Sequence, residues 1–272
     1  MQRREFLAAS AASAAALSLA ATGGPALAGA EGSAKQLIEL RIYHFASQDK
    51  LHRFEEFLGA SAPAFAHAGV SPVGIFKLLA KDNPDLKLAA DGTDLYVLLP
   101  HASFDAMLSL PERMMTETEF LSSGAAIFLA PKSDPAFTRY ESSLMLGFDQ
   151  WPKVVAPAAA KSDKRVVQLR IYESHSTERA RKKIEMFNDG GEIGIFKRVG
   201  LTPVFFGQTL FGNKLPNTTY MLAFEDEAAM KKGWDAFRAD ADWKRLAADE
   251  QYKDAVSNIT NLILRPVAGS QI

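Results

Sequence analysis

The stretch LIELRIYHFAS (residues 37–47) returns, lightly edited, as VVQLRIYESHS (residues 166–176). Both copies carry Leu-Arg-Ile-Tyr, at 40–43 and 169–172, so each puts an arginine inside an alternating, strand-like run. The likeness continues downstream. After each copy a segment of helical period ends at a glycine, Gly69 or Gly200, and Val-Ser-Pro-Val or Leu-Thr-Pro-Val then opens an extended run. Glycine just past a helix, with proline shortly after, stops it. TDLYVLLPHASFDAM and TTYMLAFEDEAAM each give a short apolar strand leading into an acidic helix start, and FTRYESSLMLGF and SNITNLILRP close the two halves.

The order β-α-β-β-α-β therefore occurs twice, which is the ferredoxin-like split unit. Such a sheet is antiparallel with both helices on one face, and its other face needs a cover. Two tandem copies can cover each other, and the expected fold is α+β: ferredoxin-like repeats in a dimeric-α+β-barrel-type arrangement around a lumen. The expected division is a first repeat at 35–148, a linker at 149–165 and a second repeat at 166–272. The linker, DQWPKVVAPAAAKSDKR, is rich in Pro, Ala and Lys, lacks any period, and offers Trp151 as an anchor.

Period two separates Ile38, Leu40 and Ile42 from Glu39, Arg41 and Tyr43, and likewise Val167, Leu169 and Ile171 from Gln168, Arg170 and Tyr172. With the aliphatic set assigned to the helix-covered face, Arg41 and Arg170 point into the lumen. An arginine cannot shed its charge and needs a carboxylate, water or an anionic ligand. Glu39 and Glu141 are the candidate partners; a structural ion pair and a ligand-facing role both remain open.

The halves are not equivalent. Where the first helix of one copy reads Phe57-Leu58-Gly59-Ala60-Ser61, followed by Pro63, the other reads Asn188-Asp189-Gly190-Gly191-Glu192. Glycines inside a helix cost about 1 kcal/mol each against alanine. They mark either a kink shared by both copies or an opening beside a site. Further polar residues gather in the second copy: Tyr172, Glu173 and His175 at the exit of its first strand, and Asn258 and Asn261 in its last. The candidate ligand-binding set is Arg41, Tyr43, Arg170, Tyr172, Asn188, Asn258 and Asn261. His175 and Glu192 are the candidate catalytic groups, although His175 also fits an ordinary helix start capped by Ser176 or Thr177.

Several chemistries lack their motifs. The 31 Lys and Arg balance 32 Asp and Glu with no basic stripe, which argues against a nucleic-acid partner. There is no cysteine, HExxH, GxSxG or nucleotide-type glycine loop, and the five histidines are scattered, so no metal site and no cofactor is expected. Haem on a lone histidine, His67 or His175, stays open. At the amino end Arg3-Arg4, Phe6-Leu7, an alanine-rich run and Ala26-Leu27-Ala28 describe a twin-arginine-type export signal over residues 1–28. An ordinary Sec signal or an uncleaved anchor is the alternative. The expected location is extracytoplasmic or periplasmic, with no transmembrane helix in the mature chain.

With LRIY, NDGGEIGIFKRVGLTPVFFGQTLFG, LPNTTYMLAF, WDAFRADADWKRL and VSNITNLILRP all in place, the chain resembles bacterial proteins of the NIPSNAP family, from about Lys35 to Ile272 and most strongly from Val166. The resemblance implies the dimeric α+β barrel superfamily, which also holds cofactor-free monooxygenases, haem-degrading enzymes and chlorite dismutase-like haem proteins. It implies no particular reaction; eukaryotic members of the family are described as mitochondrial adaptor or interaction proteins. The expectation is a barrel, possible as a homo-oligomer, that binds a small polar or anionic molecule or a protein partner. A cofactor-independent oxygenase or isomerase acting in the lumen is the alternative, and a haem-binding protein the third.

Overall fold

The computed structural model describes residues 34–158 and 162–272. The expected export signal at 1–28 and residues 159–161 of the linker lie outside them. The first half runs β1 (Leu37–His44), α1 (Gln48–Ala60), α2 (Ala62–His67), β2 (Gly74–Leu78) and β3 (Asp94–His101). Four short helices follow, α3 (Phe104–Leu108), α4 (Leu110–Met114), α5 (Thr118–Ser123) and α6 (Ala125–Phe128), and then β4 (Arg139–Gly147). The second half runs β5 (Val166–Glu173), α7 (Thr177–Asn188), α8 (Glu192–Arg198), β6 (Thr202–Phe211), β7 (Asn217–Phe224), α9 (Glu227–Ala239), α10 (Ala241–Ala247) and β8 (Asn258–Pro266). The fold is α+β.

The strands close in the order β1-β3-β2-β8-β5-β7-β6-β4. Within each half the lateral order is the same: the closing strand, the opening strand, the third, then the second. Antiparallel pairs of β2 with β8 and of β4 with β6 join the halves. Opposite Arg41 stand Val97 and Ser142, and opposite Arg170 stand Tyr220 and Asn261.

The interior corrects one expectation. Ile38, Leu40, Leu98 and Met145 meet Val167, Leu169, Met221 and Leu264 in a single buried cluster, so the aliphatic set fills the lumen. Arg41, Tyr43, Arg170 and Tyr172 face the helices instead, with Tyr43 and Tyr172 in the two helix-side clusters. An eight-stranded barrel is just wide enough for side chains to fill, and a guanidinium there would be desolvated without a partner. Beneath the helices the same side chain can run its stem along apolar surface and bring its head toward the rim.

Val154 of the linker and Ile272 also belong to the lumen cluster. Gln36 Oε1 accepts from the Val154 amide at 2.8 Å, and Gln271 Oε1 from the Val73 amide at 2.6 Å. Trp151 anchors the linker by donating its indole N–H to the Val204 carbonyl at 3.1 Å. The helices pack through Phe54, Phe57 and Phe65 in one half and Phe187, Phe196 and Phe237 in the other. Both halves break their first helix at the matched place, α1/α2 at Ser61 and α7/α8 at Gly191, whose φ of 81° is left-handed. Among the described residues no helix is long and apolar enough to cross a membrane.

Candidate functional site

The site is built on β5, whose even-numbered side chains lie under α7–α10. A cavity of about 560 Å³ opens there, lined among others by Arg170, Tyr172, Lys183, Glu192, Trp234 and Trp243. Lys183 comes from α7 and Glu192 is the first residue of α8, so the break at Gly191 brings them together. Lys183 Nζ lies 2.6 Å from Glu192 Oε2, with the side chains only 4% and 2% exposed. The ammonium also sits 4.2 Å from the Phe187 ring centre.

Arg170 is differently placed. Its guanidinium lies 4.7 Å over Trp234 and 5.2 Å from the Tyr172 ring, cation–π contacts worth roughly 0.5–2 kcal/mol each. Its Nε is buried without a hydrogen-bond partner. Beside it, Gln168 donates from Nε2 to Asn261 Oδ1 at 2.7 Å, and its Oε1 accepts from Trp234 Nε1 at 2.6 Å. Gln168 therefore fixes the indole on which Arg170 stacks. Tyr220 donates to Tyr172 Oη at 2.8 Å.

A buried ammonium and a half-buried guanidinium thus face one carboxylate, and the inner cleft carries an excess positive charge. Burial pushes the Glu192 carboxyl up, opposed by Lys183 and Arg170, and burial likewise raises Tyr172. Arg238 and Lys253 at the outer wall are matched by Asp235 and Glu250.

The first half builds the corresponding place with another charge. Where β5 has Gln168, β1 has Glu39. Arg41 donates from Nε to Glu39 Oε1 at 2.6 Å and from Nη2 to Oε2 at 3.0 Å, while its Nη1 lies a long 3.4 Å from Tyr43 Oη. His101 Nε2, at 3.0 Å, and Ser142 Oγ, at 2.8 Å, complete the carboxylate's shell. Burial alone would push the Glu39 carboxyl up; hydrogen bonds from His101, Arg41 and Ser142 overcome it and bring it down to about 2.

Of the sequence candidates, the structure brings Arg170, Tyr172 and Glu192 together. Asn261 holds Gln168 but does not line the cavity. Asn188 turns to the linker, accepting from the Gln150 amide at 3.0 Å and donating to the Ile184 carbonyl at 3.2 Å. Asn258 is exposed and donates to Glu173 Oε1 at 2.7 Å. His175 is exposed just before α7, where Ser176 is the cap, and neither it nor His67 lines this cleft. Glu141 pairs with neither arginine and accepts instead from Asn213 Nδ2 at 3.0 Å, at a barrel mouth holding a cavity of about 220 Å³.

Lys183, Gln168, Trp234 and Trp243 escaped the sequence reading as site residues. The signal for Lys183 was its phase: Ala180, Lys183 and Phe187 share the buried stripe of α7, where a lysine is out of place. The signal for Gln168 was its alignment with Glu39. Among the described residues no cluster of His, Asp and Glu could hold a metal ion.

Closed eight-stranded α+β barrels with a cleft between sheet and helices are the class this geometry defines. Within it, the sequence pattern of the NIPSNAP family matches residues 167–271, in the second half. No curated protein matches the chain. Among solved structures, a candidate monooxygenase from Fusobacterium nucleatum is similar with a TM-score of 0.54 and 11% identity, over 86% of this chain and 93% of that one. A second candidate monooxygenase, from Lactobacillus acidophilus, has a TM-score of 0.50 and 10% identity over 85% and 94%. An uncharacterized NIPSNAP-like domain protein from Burkholderia xenovorans is 21% identical over 39% of this chain and 88% of its own, with a TM-score of 0.36. At these identities the first two likenesses concern the fold.

Proposed function

We propose that the chain is an exported, non-catalytic binding protein whose second half holds a small aromatic or flat molecule bearing one anionic group. The observation that carries this is the buried Nε of Arg170, a donor with no partner on a guanidinium that already stacks on Trp234. A carboxylate or phosphate held against that guanidinium would neutralise the excess charge. The rings of Tyr172, Trp234 and Trp243 would flank the rest of the molecule. We further infer that the halves are copies of one ferredoxin-like module, a reading supported by their common strand order.

An oxygenase or isomerase needs a base free to take a proton. Glu192 is held by Lys183 and His175 stands on the surface, so this cleft favours binding over turnover. The two histidines that could ligate haem, His67 and His175, do not line this cleft, so neither would reach a haem held there.

The test is quenching of tryptophan fluorescence on titration with benzoate, phenylacetate and phenyl phosphate, set against benzyl alcohol and benzamide. Saturable quenching by the anions alone is expected, weakened at least tenfold in Arg170→Gln and in Gln168→Glu. Equal binding of the neutral analogues, or an unaffected Arg170→Gln variant, would falsify the assignment.

A further inference from the structure

The corresponding cleft of the first half belongs to no site described so far. It has a volume of about 440 Å³ and lies between β1 and the helices α1, α2 and α4–α6. Its walls are almost wholly apolar, with Phe54, Phe57, Phe65, Met114, Phe120 and Phe137 among them. Polar atoms enter at one end, from Arg41 and Tyr43. Protein interiors close-pack, and an unfilled apolar space of this size is costly. Water gains little there, because it needs two to four polar partners. At the mouth Met115 and Phe128 are 54% and 43% exposed. Apolar surface left open beside an apolar cavity is the usual form of a ligand site.

The charge of the polar end selects the ligand. Arg41 has committed Nε and Nη2 to Glu39, so guanidinium and carboxylate cancel. Nη1, with its long contact to Tyr43 Oη, the second N–H of Nη2 and the tyrosine hydroxyl remain for a newcomer. An anionic head would have to share this guanidinium with a buried carboxylate. A carbonyl, ether or hydroxyl oxygen accepts from a remaining donor at no such cost. We propose that the first half binds an uncharged, predominantly apolar molecule that places one hydrogen-bond acceptor against Arg41 Nη1 and Tyr43 Oη. The two clefts of one chain then differ in ligand charge because one aligned position holds Glu39 in one half and Gln168 in the other.

The experiment uses the whole protein and the neutral fluorescent probe N-phenylnaphthylamine at pH 7. Saturable binding at one site per chain is expected, with decanol displacing the probe at least tenfold more effectively than decanoate. Met115→Trp, which narrows the mouth from an exposed position, weakens probe binding at least tenfold with its melting temperature unchanged. Glu39→Gln, if it folds, brings decanoate to parity with decanol. Equal competition by decanol and decanoate in the unmodified protein overturns the proposal without reference to any variant. So does probe binding that fails to saturate, that survives Met115→Trp, or that gives way to adsorption of the chain onto phosphatidylcholine vesicles.

Discussion

Glu39 and Gln168 differ by the exchange of an oxygen for an amide nitrogen, and that exchange decides what each arginine does. Glu39 draws Arg41, His101 and Ser142 around itself. Gln168 cannot neutralise Arg170 and spends its amide on Asn261 and Trp234. The acid behaviour follows. The folded Glu39 carboxyl lies at about 2 against an ordinary 4.5, a depressed value. Its stabilisation is therefore complete above pH 4.5 and is lost as the pH falls toward 2; integrated, it is about 3 kcal/mol. Urea unfolding followed from pH 6 to pH 2 should show Glu39→Gln less stable at pH 6 and the gap to the native chain narrowing across that window. A gap independent of pH would remove Glu39 as its source. At this scale the sequence was partly legible. Glu39 was visible as a partner for Arg41 on the same strand face, whereas Lys183 was hidden in the basic run of Arg181, Lys182 and Lys183, only one of which turns inward.

At the level of the element, the break between α7 and α8 assembles the ion pair of the second cleft. Gly191 makes the turn with φ at 81°, and a Cβ added there would meet nothing within 4 Å. The cost of a side chain is conformational alone, about 1–2 kcal/mol for the left-handed region. Gly191→Ala should lower stability by that amount in chemical denaturation, and Gly191→Asn by less, since asparagine tolerates the conformation better. Equal stability of the alanine variant and the native chain would show that the turn can be made otherwise. The break could be read from Gly190-Gly191 and, in the first half, from Pro63. The inward face of the strands could not. Alternation separates two faces without saying which is inside, and both faces here are covered, one by the opposite sheet and one by helices. The drier of the two took the aliphatic set: the middle of the lumen is filled by it, and the polar groups Glu141, Asn213 and Lys214 stand at the barrel mouth.

Across the whole molecule, the interior of the barrel is continuous from one half to the other, and Phe76, Met145, Phe205 and Met221 within it are fully buried. A core of this density is stiff, and it does not deform gradually. Communication between distant sites requires an element with two discrete arrangements that each ligand favours unequally. The two clefts lie over opposite strands of the barrel, β1 and β5, with the packed cluster between them. Occupancy of one should leave the other's dissociation constant unchanged, with a coupling free energy near zero. Calorimetric titration with phenylacetate, repeated in saturating decanol, would return superimposable isotherms, and a shift beyond twofold would show that the packed cluster can give. If both clefts are filled as proposed, such a chain answers two chemically unlike molecules in parallel, and the level of either reports nothing about the other.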